Sequence, residues 1–482
     1  MFSYLKKKDI ISLLFIFTLL LVAYSPACIG NFGFSDDYST FFVANLSHTN
    51  LLQWDVMSGR PLYAALRYFA QSFIENTSDF RIFRIISVVS IILLGMFLYF
   101  FLKKSQFPGG SIAWCITPVL LCCLPPVALY GAWSTCFPYV TSIILAGLSY
   151  VNLNYNNNLA AYLRVPLSFL LLALSFAIYQ PTGMSFSLFM LIDNCLNDSK
   201  IIYKKVFLNV VTIATGMISS LLFSKVLPLL WYGQAFPRSA LATSLSEKVQ
   251  WFLDKPFHDA VSNYSLFYTS FYFAASLAVL ILAFALICTQ SDGFKKAALS
   301  VAILIGSFSP NLAIAESWVS YRSLISLELC VGALLAFSIA KLTNRLNIKH
   351  SALFLCAGYA VISCNSLIYT NFVKQYDQEL IVLKAAIKEK VSKDYNGYLM
   401  FDISSPEWNV FSPTKYDEIG APSIQIEWAI SGFAESIKKD MGYKYKINPL
   451  NSGNAVLLVS QDDCGHECTV IHVTDKLRLI KD

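Results

Sequence analysis

The sequence predicts an all-α polytopic membrane protein with a small α/β domain at its C-terminal end. Three observations predict it. Of 482 residues, 56% are hydrophobic and only 14% are charged, against about 25% charged in soluble domains. Apolar runs near the ~20 residues that cross a bilayer recur along positions 1–370. The basic residues between those runs fall in every second loop, as the positive-inside rule requires. The net charge of +6 therefore reports orientation. A nucleic-acid-binding face would gather its Lys and Arg in one folded region, and none does.

Lys6, Lys7 and Lys8 precede the first run, 10–29, and place its start in the cytoplasm. The run is longer than the 7–15 residues of a signal-peptide core. Ser25-Pro26-Ala27-Cys28 is a poor lipoprotein signal, so an uncleaved first span is expected. Further runs lie at 82–102, 111–130, 137–152, 160–179, 182–197, 206–227, 267–289, 297–315, 321–340 and 351–370. Pro138 and Pro181 break two of them, and one pair could form a re-entrant hairpin. About 9–11 transmembrane helices are expected. Successive cytoplasmic ends carry Lys103-Lys104, then Lys200 with Lys204-Lys205, then Lys295-Lys296, then Lys341, Arg345 and Lys349. The loop at 152–158 is the weak one, with only Arg164 nearby.

Three loops then face outward. Loop 30–81 holds Asp36, Asp37, Trp54, Asp55, Arg60 and Arg67. Loop 228–266 holds Trp231, Tyr232, Arg238, Trp251 and His258. A short third loop holds Asn311, Glu316, Trp318, Tyr321 and Arg322. Beyond position 370 charge becomes frequent and spanning runs stop. Segment 371–482 offers a helix at 372–393, a strand at 398–403, a helix at 422–439 and strands at 455–460 and 469–474. It is long enough for a core of its own, and an odd number of spans places it outside. Most of the 12 cysteines lie in apolar runs, where Cys acts as a small hydrophobe. Cys464 and Cys468, in Cys-Gly-His-Glu-Cys, are the exception. In an oxidising compartment they form a local disulfide or stay as two thiols; a zinc site through His466 lacks a fourth ligand nearby.

Asp36 and Asp37 follow the first run directly. The functional reading is a general base with a second carboxylate that orients the acceptor or raises the base's pKa. The plainer reading is a helix cap at the interface. Phe32, Phe34, Tyr38, Phe41 and Phe42 form an apolar rim that would desolvate the pair, which favours function. Arg60, in Ser58-Gly59-Arg60-Pro61, has the fork geometry for phosphate oxygens; alternatively it is an interfacial arginine before a helix that starts at Pro61. Glu316 and Arg322 either pair with each other or contact phosphate or sugar. His258 is a lone histidine. Trp54, Trp231, Trp251 and Trp318 suit sugar stacking, or an interfacial aromatic belt. No Gly-rich phosphate loop with Lys, no HExxH and no GxSxG occurs, nor an intramembrane acidic relay of the kind pumps use. Chemistry driven by ATP or a nucleotide sugar has no visible home.

These residues resemble a known group. A basic start, a first span and an aromatic-flanked Asp-Asp in a long outer loop are the pattern of GT-C class glycosyltransferases. Phe34-Ser35-Asp36-Asp37-Tyr38, Trp54, Ser58-Gly59-Arg60-Pro61, the late Asn311, Glu316 and Tyr321-Arg322, and a polar outer tail look like the phage-type serotype-conversion O-antigen glucosyltransferases. The resemblance is strongest over 30–70 and 310–325 and loose over 371–482. It implies transfer of glucose from undecaprenyl-phosphate glucose to lipid-linked O-antigen on the periplasmic face of the bacterial inner membrane, with inversion from a β-linked donor to an α-linked product. It implies a separate polyprenyl-phosphate glucosyltransferase and a flippase as working partners. Asp36 and Asp37 carry over as base candidates, and Arg60 and Arg322 as phosphate contacts. Glu316, Tyr38 and Trp54 carry over as further substrate contacts. A divalent metal bound by two carboxylates stays open. A transporter or flippase of lipid-linked sugars is the reading from another class, but its expected repeat symmetry is not visible. An O-antigen polymerase is a third, and the early Asp-Asp argues against it.

Overall fold

The computed structural model describes residues 6–40, 49–156, 159–233, 240–262, 270–345, 351–403, 419–447, 468–473 and 477. Cys464, the Cys468 side chain, Phe41, Phe42, Arg238 and the strand expected at 455–460 lie outside them.

Among the described residues seven helices are long and apolar enough to cross a membrane: Thr77–Lys104, Ser134–Tyr155, Ala161–Ile178, Tyr203–Tyr232, Phe271–Cys288, Tyr321–Asn344 and Ser351–Lys390. An eighth arises if Gly110–Cys122 and Pro125–Ala132, bent by 61°, count as one broken span. Fewer of the described helices reach spanning length than the 9–11 expected, and prolines account for much of the difference. The 10–29 run forms Lys7–Ala23, only 17 residues, then a short helix Ser25–Ile29 with Pro26 in its first turn. The 182–197 run yields the 10-residue Phe186–Cys195 after a short turn at Pro181. The 297–315 run yields Gly293–Gly306 and then a separate turn, Ser309–Ala313, around Pro310. Pro181 divides the 160–179 and 182–197 runs as expected, whereas Pro138 precedes an unbroken helix, Tyr139–Tyr155, and Pro125-Pro126 breaks the run before it. Proline has no N–H to donate and turns the residue before it away from helix.

The Tyr321–Arg345 helix is the bundle's centre, with Leu324, Leu327, Val331, Leu334 and Phe337 fully buried. Tyr203–Tyr232 and Phe271–Cys288 are peripheral and expose Leu222, Leu230, Phe271 and Ile281. An apolar surface of that extent suits a lipid environment. The charged ends sort to opposite poles. Asp9 pairs with Lys103, Asp193 with Lys205 and Asp198 with Lys341. Asn197 bridges Ser105 and Lys296, and Asp292 accepts from the Ile201 amide. The loops expected to be cytoplasmic are therefore one connected pole. Arg84, near the other end of the Phe80–Lys104 helix, lies about 30 Å away at 1.5 Å per residue, a bilayer's hydrocarbon thickness.

The C-terminal segment is tied to that second pole. Ser351–Ile368 runs through a π-turn, Tyr369–Lys374, into Gln375–Lys390 without a break. The boundary expected at 371 therefore falls inside one long helix. Three strands follow among the described residues, β1 Tyr398–Asp402, β2 Lys446–Ile447 and β3 Cys468–His472, in the order β2-β1-β3 and all parallel. The Glu427–Met441 helix crosses between β1 and β2, as a parallel pair requires.

Candidate active site at the acidic pair

Chain geometry separates Asp36 from Asp37. Residues 36–40 are helical, and Ser35 before them has φ 44°, a left-handed conformation that non-glycine residues adopt rarely. Neighbouring helical side chains point about 100° apart. Asp37 points inward and is fully buried. Its Oδ2 accepts from the Phe34 amide at 3.0 Å and its Oδ1 from the Thr135 amide at 2.9 Å. Burial pushes its carboxyl up to about 7, against Arg84 and those two amides. Arg84 organises the same loop: it donates to the carbonyls of Ala27, Gly30 and Phe32 and to Ser134 Oγ. Asp37 is therefore a fastener between the 30–35 loop and the turn at Ser134–Cys136.

Asp36 points the other way. Its side chain is 30% exposed, and Arg322 Nη1 lies 3.5 Å from Oδ2. The indole N–H of Trp428 donates to Oδ1 at 2.8 Å. Arg322 lies over the buried Trp133 ring at 4.4 Å, a cation–π contact, and Tyr130 Oη donates to the Arg322 carbonyl. Arg60 is a second cation in this field. Gly59 sets it up with φ 74°, in a space where a Cβ would meet Ser224 at 2.7 Å. Gln180 donates to the carbonyls of Ser58 and Gly59. The Arg60 guanidinium stands 4.7 Å over the Tyr179 ring, and its buried Nε meets no hydrogen-bond partner among the described residues. Burial opposes its charge, yet Tyr139, Tyr179 and Asp55 hold its pKa above the ordinary value despite repulsion from Arg322.

The other expected contacts divide. Tyr38 is completely buried, stacked on Phe433 at 4.5 Å and edge-on to Phe80. Its ring is a packing surface between the acidic loop and the C-terminal segment. Trp54 is exposed beside Asp55. The Glu316 carbonyl accepts from Lys248 Nζ at 2.9 Å, while Arg322 turns to Asp36. His258 stacks on Phe273 at 4.3 Å. Both Asp37 oxygens accept from backbone amides, while Asp36 turns away from them. Among the described residues no group of three His, Cys, Asp or Glu is placed to hold a metal ion.

Three residues escape sequence reasoning. Trp133 sits in an apolar run and Trp428 lies 392 positions from Asp36. Glu379 reads as one charge of an amphipathic helix. It is buried, and holds Gln375 through Oε1 and the Ile424 amide through Oε2. The only available signals were tryptophans amid polar or glycine-containing stretches. No family model matches this chain, and neither does any curated protein.

Proposed function

We propose that the chain is an inverting GT-C type glycosyltransferase. It moves glucose from undecaprenyl-phosphate glucose to lipid-linked O-antigen at the periplasmic face of the bacterial inner membrane. The observation that carries this is the half-open Asp36 carboxylate against Arg322, with Arg60 in the same electrostatic field. Gathering the lysines at the opposite pole supports an outward-facing site and a periplasmic C-terminal segment. No nucleotide sugar exists outside the cytoplasm, so the leaving group there travels on a lipid phosphate.

Asp36 is the base, and Asp37 positions it. The acceptor hydroxyl oxygen attacks glucose C1 from the face opposite the phosphate. The C1–O bond breaks and its electron pair leaves with the lipid phosphate, whose charge rises by one. The hydroxyl proton goes to Asp36. Arg322 and Arg60 offset the growing phosphate charge, which is where preorganised donors act most strongly. Inversion in one displacement needs no enzyme nucleophile.

The test is the O-antigen of a smooth enteric strain with and without the gene. The gene should add one hexose per modified repeat by mass. Asp36→Asn, accumulating normally, should lower transfer by about 10²–10⁴, the usual loss for a general base. An unchanged hexose content with Asp36→Asn would remove the base; a lipid-linked sugar relocated without transfer would favour a transporter.

A further inference from the structure

We infer that Trp428 is the platform on which the acceptor sugar lies, so that the C-terminal segment forms one wall of the acceptor site. This rests on the reading of Asp36 as the base. The Trp428 indole is 52% exposed although its N–H is fixed on Asp36 Oδ1 at 2.8 Å. A half-exposed tryptophan is thus tied directly to the carboxylate that accepts the proton. A pyranose has a C–H face and a rim of hydroxyls. The C–H face meets the negative face of an indole well, and a rim hydroxyl then falls at the carboxylate.

The platform is built rigidly, as positioning requires. The segment grips the acidic loop on both sides of Asp36. Ser423 Oγ accepts from the Ser35 amide at 3.2 Å. Gly432 lies so close that a Cβ there would meet the Tyr38 carbonyl oxygen at 2.0 Å, and Phe433 stacks on the Tyr38 ring. Buried Glu379 secures the turn carrying Ser423 through the Ile424 amide. The two oxygens of Asp36 also separate the substrates: Oδ2 faces Arg322, the phosphate side, and Oδ1 faces Trp428.

The test uses the full chain in membranes, with polyprenyl-phosphate glucose as donor and O-antigen oligosaccharide as acceptor. Trp428→Ala should raise the acceptor KM roughly three- to tenfold, the scale of one aromatic contact. The donor KM should stay near the parental value. Trp428→Phe, which keeps a ring but loses the N–H, should fall between. An unchanged acceptor KM in Trp428→Ala, or equal changes in both KM values, would make Trp428 an interfacial anchor and overturn the inference. Full turnover by Asp36→Asn would remove the base assignment, whereas an unchanged acceptor KM in Trp428→Ala with Asp36→Asn inactive would remove the platform and leave the base in place.

Discussion

Two arginine–aspartate pairs share the second pole of the bundle and are built in opposite ways. Arg67 and Asp55 have side chains 7% and 3% exposed, with Nη1 3.1 Å from Oδ2. The same guanidinium donates through Nε and Nη2 to Thr40 Oγ1, which in turn donates to the Asp36 carbonyl. The pair is almost wholly buried, and its geometry is closed. Arg322 and Asp36 are 22% and 30% exposed, longer at 3.5 Å, and open on one side. Burial raises the Asp55 carboxyl above its ordinary value, and Arg67 opposes that. Similar ion pairs are therefore placed differently: the closed one fixes where the 36–40 helix sits, and the open one is reached by solvent.

Breaking the closed pair should have the larger structural effect. Removing one partner of a buried pair leaves the other charged and unpaired, at about 3–5 kcal/mol. Arg67→Ala should therefore accumulate poorly and melt early in detergent, with activity lost in proportion to folded protein. Normal accumulation and melting would show that Asp55 is not the buried charge described.

Breaking the open pair should leave the fold alone. Arg322→Ala should accumulate and melt like the parent, yet lose about ten- to a hundredfold in kcat/KM for donor, the worth of one charge-assisted contact. Arg322→Lys should restore only part, because lysine keeps the charge and loses the fork. Arg60→Ala should behave likewise. A melting loss in Arg322→Ala equal to that of Arg67→Ala would erase the distinction between the pairs.

Much of this pole could be read from sequence, but not its division of labour. The Asp36-Asp37 pair, Arg60 and Arg322 stand out because charges are scarce and lie beside apolar runs. The lysine pole follows from loop composition alone. Which aspartate stays exposed depends on the left-handed Ser35 and on an amide at Thr135, and neither leaves a mark in composition. Tyr38 looked like a rim residue because nothing local shows that Phe433 will cover it. Trp428 and Glu379 act through contacts made by a distant segment, and periodicity within that segment reports its buried face, not its target. Helix lengths failed where proline interrupts apolar runs, since composition continues while hydrogen bonding stops.

The same pole contains a finer contrast, between the two adjacent carboxyls, and pH resolves it. Asp37 is pushed up to about 7 by burial, from an ordinary value of 3.8. Between about pH 4 and 7 the folded chain then binds this proton more tightly than the unfolded chain does. Stability from this group is complete below pH 4, falls as pH rises towards 7 and is flat above it. Asp37→Asn does not titrate, so the difference in melting temperature between parent and variant isolates the effect. That difference should shift in the variant's favour by a few °C between pH 4 and 7 and then stay constant. A constant difference from pH 4 to 8 would mean that burial of Asp37 is offset in full by Arg84 and the two amides. A shift in the parent's favour would mean that those donors outweigh burial and that Asp37 is held ionised as a fixed negative charge behind Asp36.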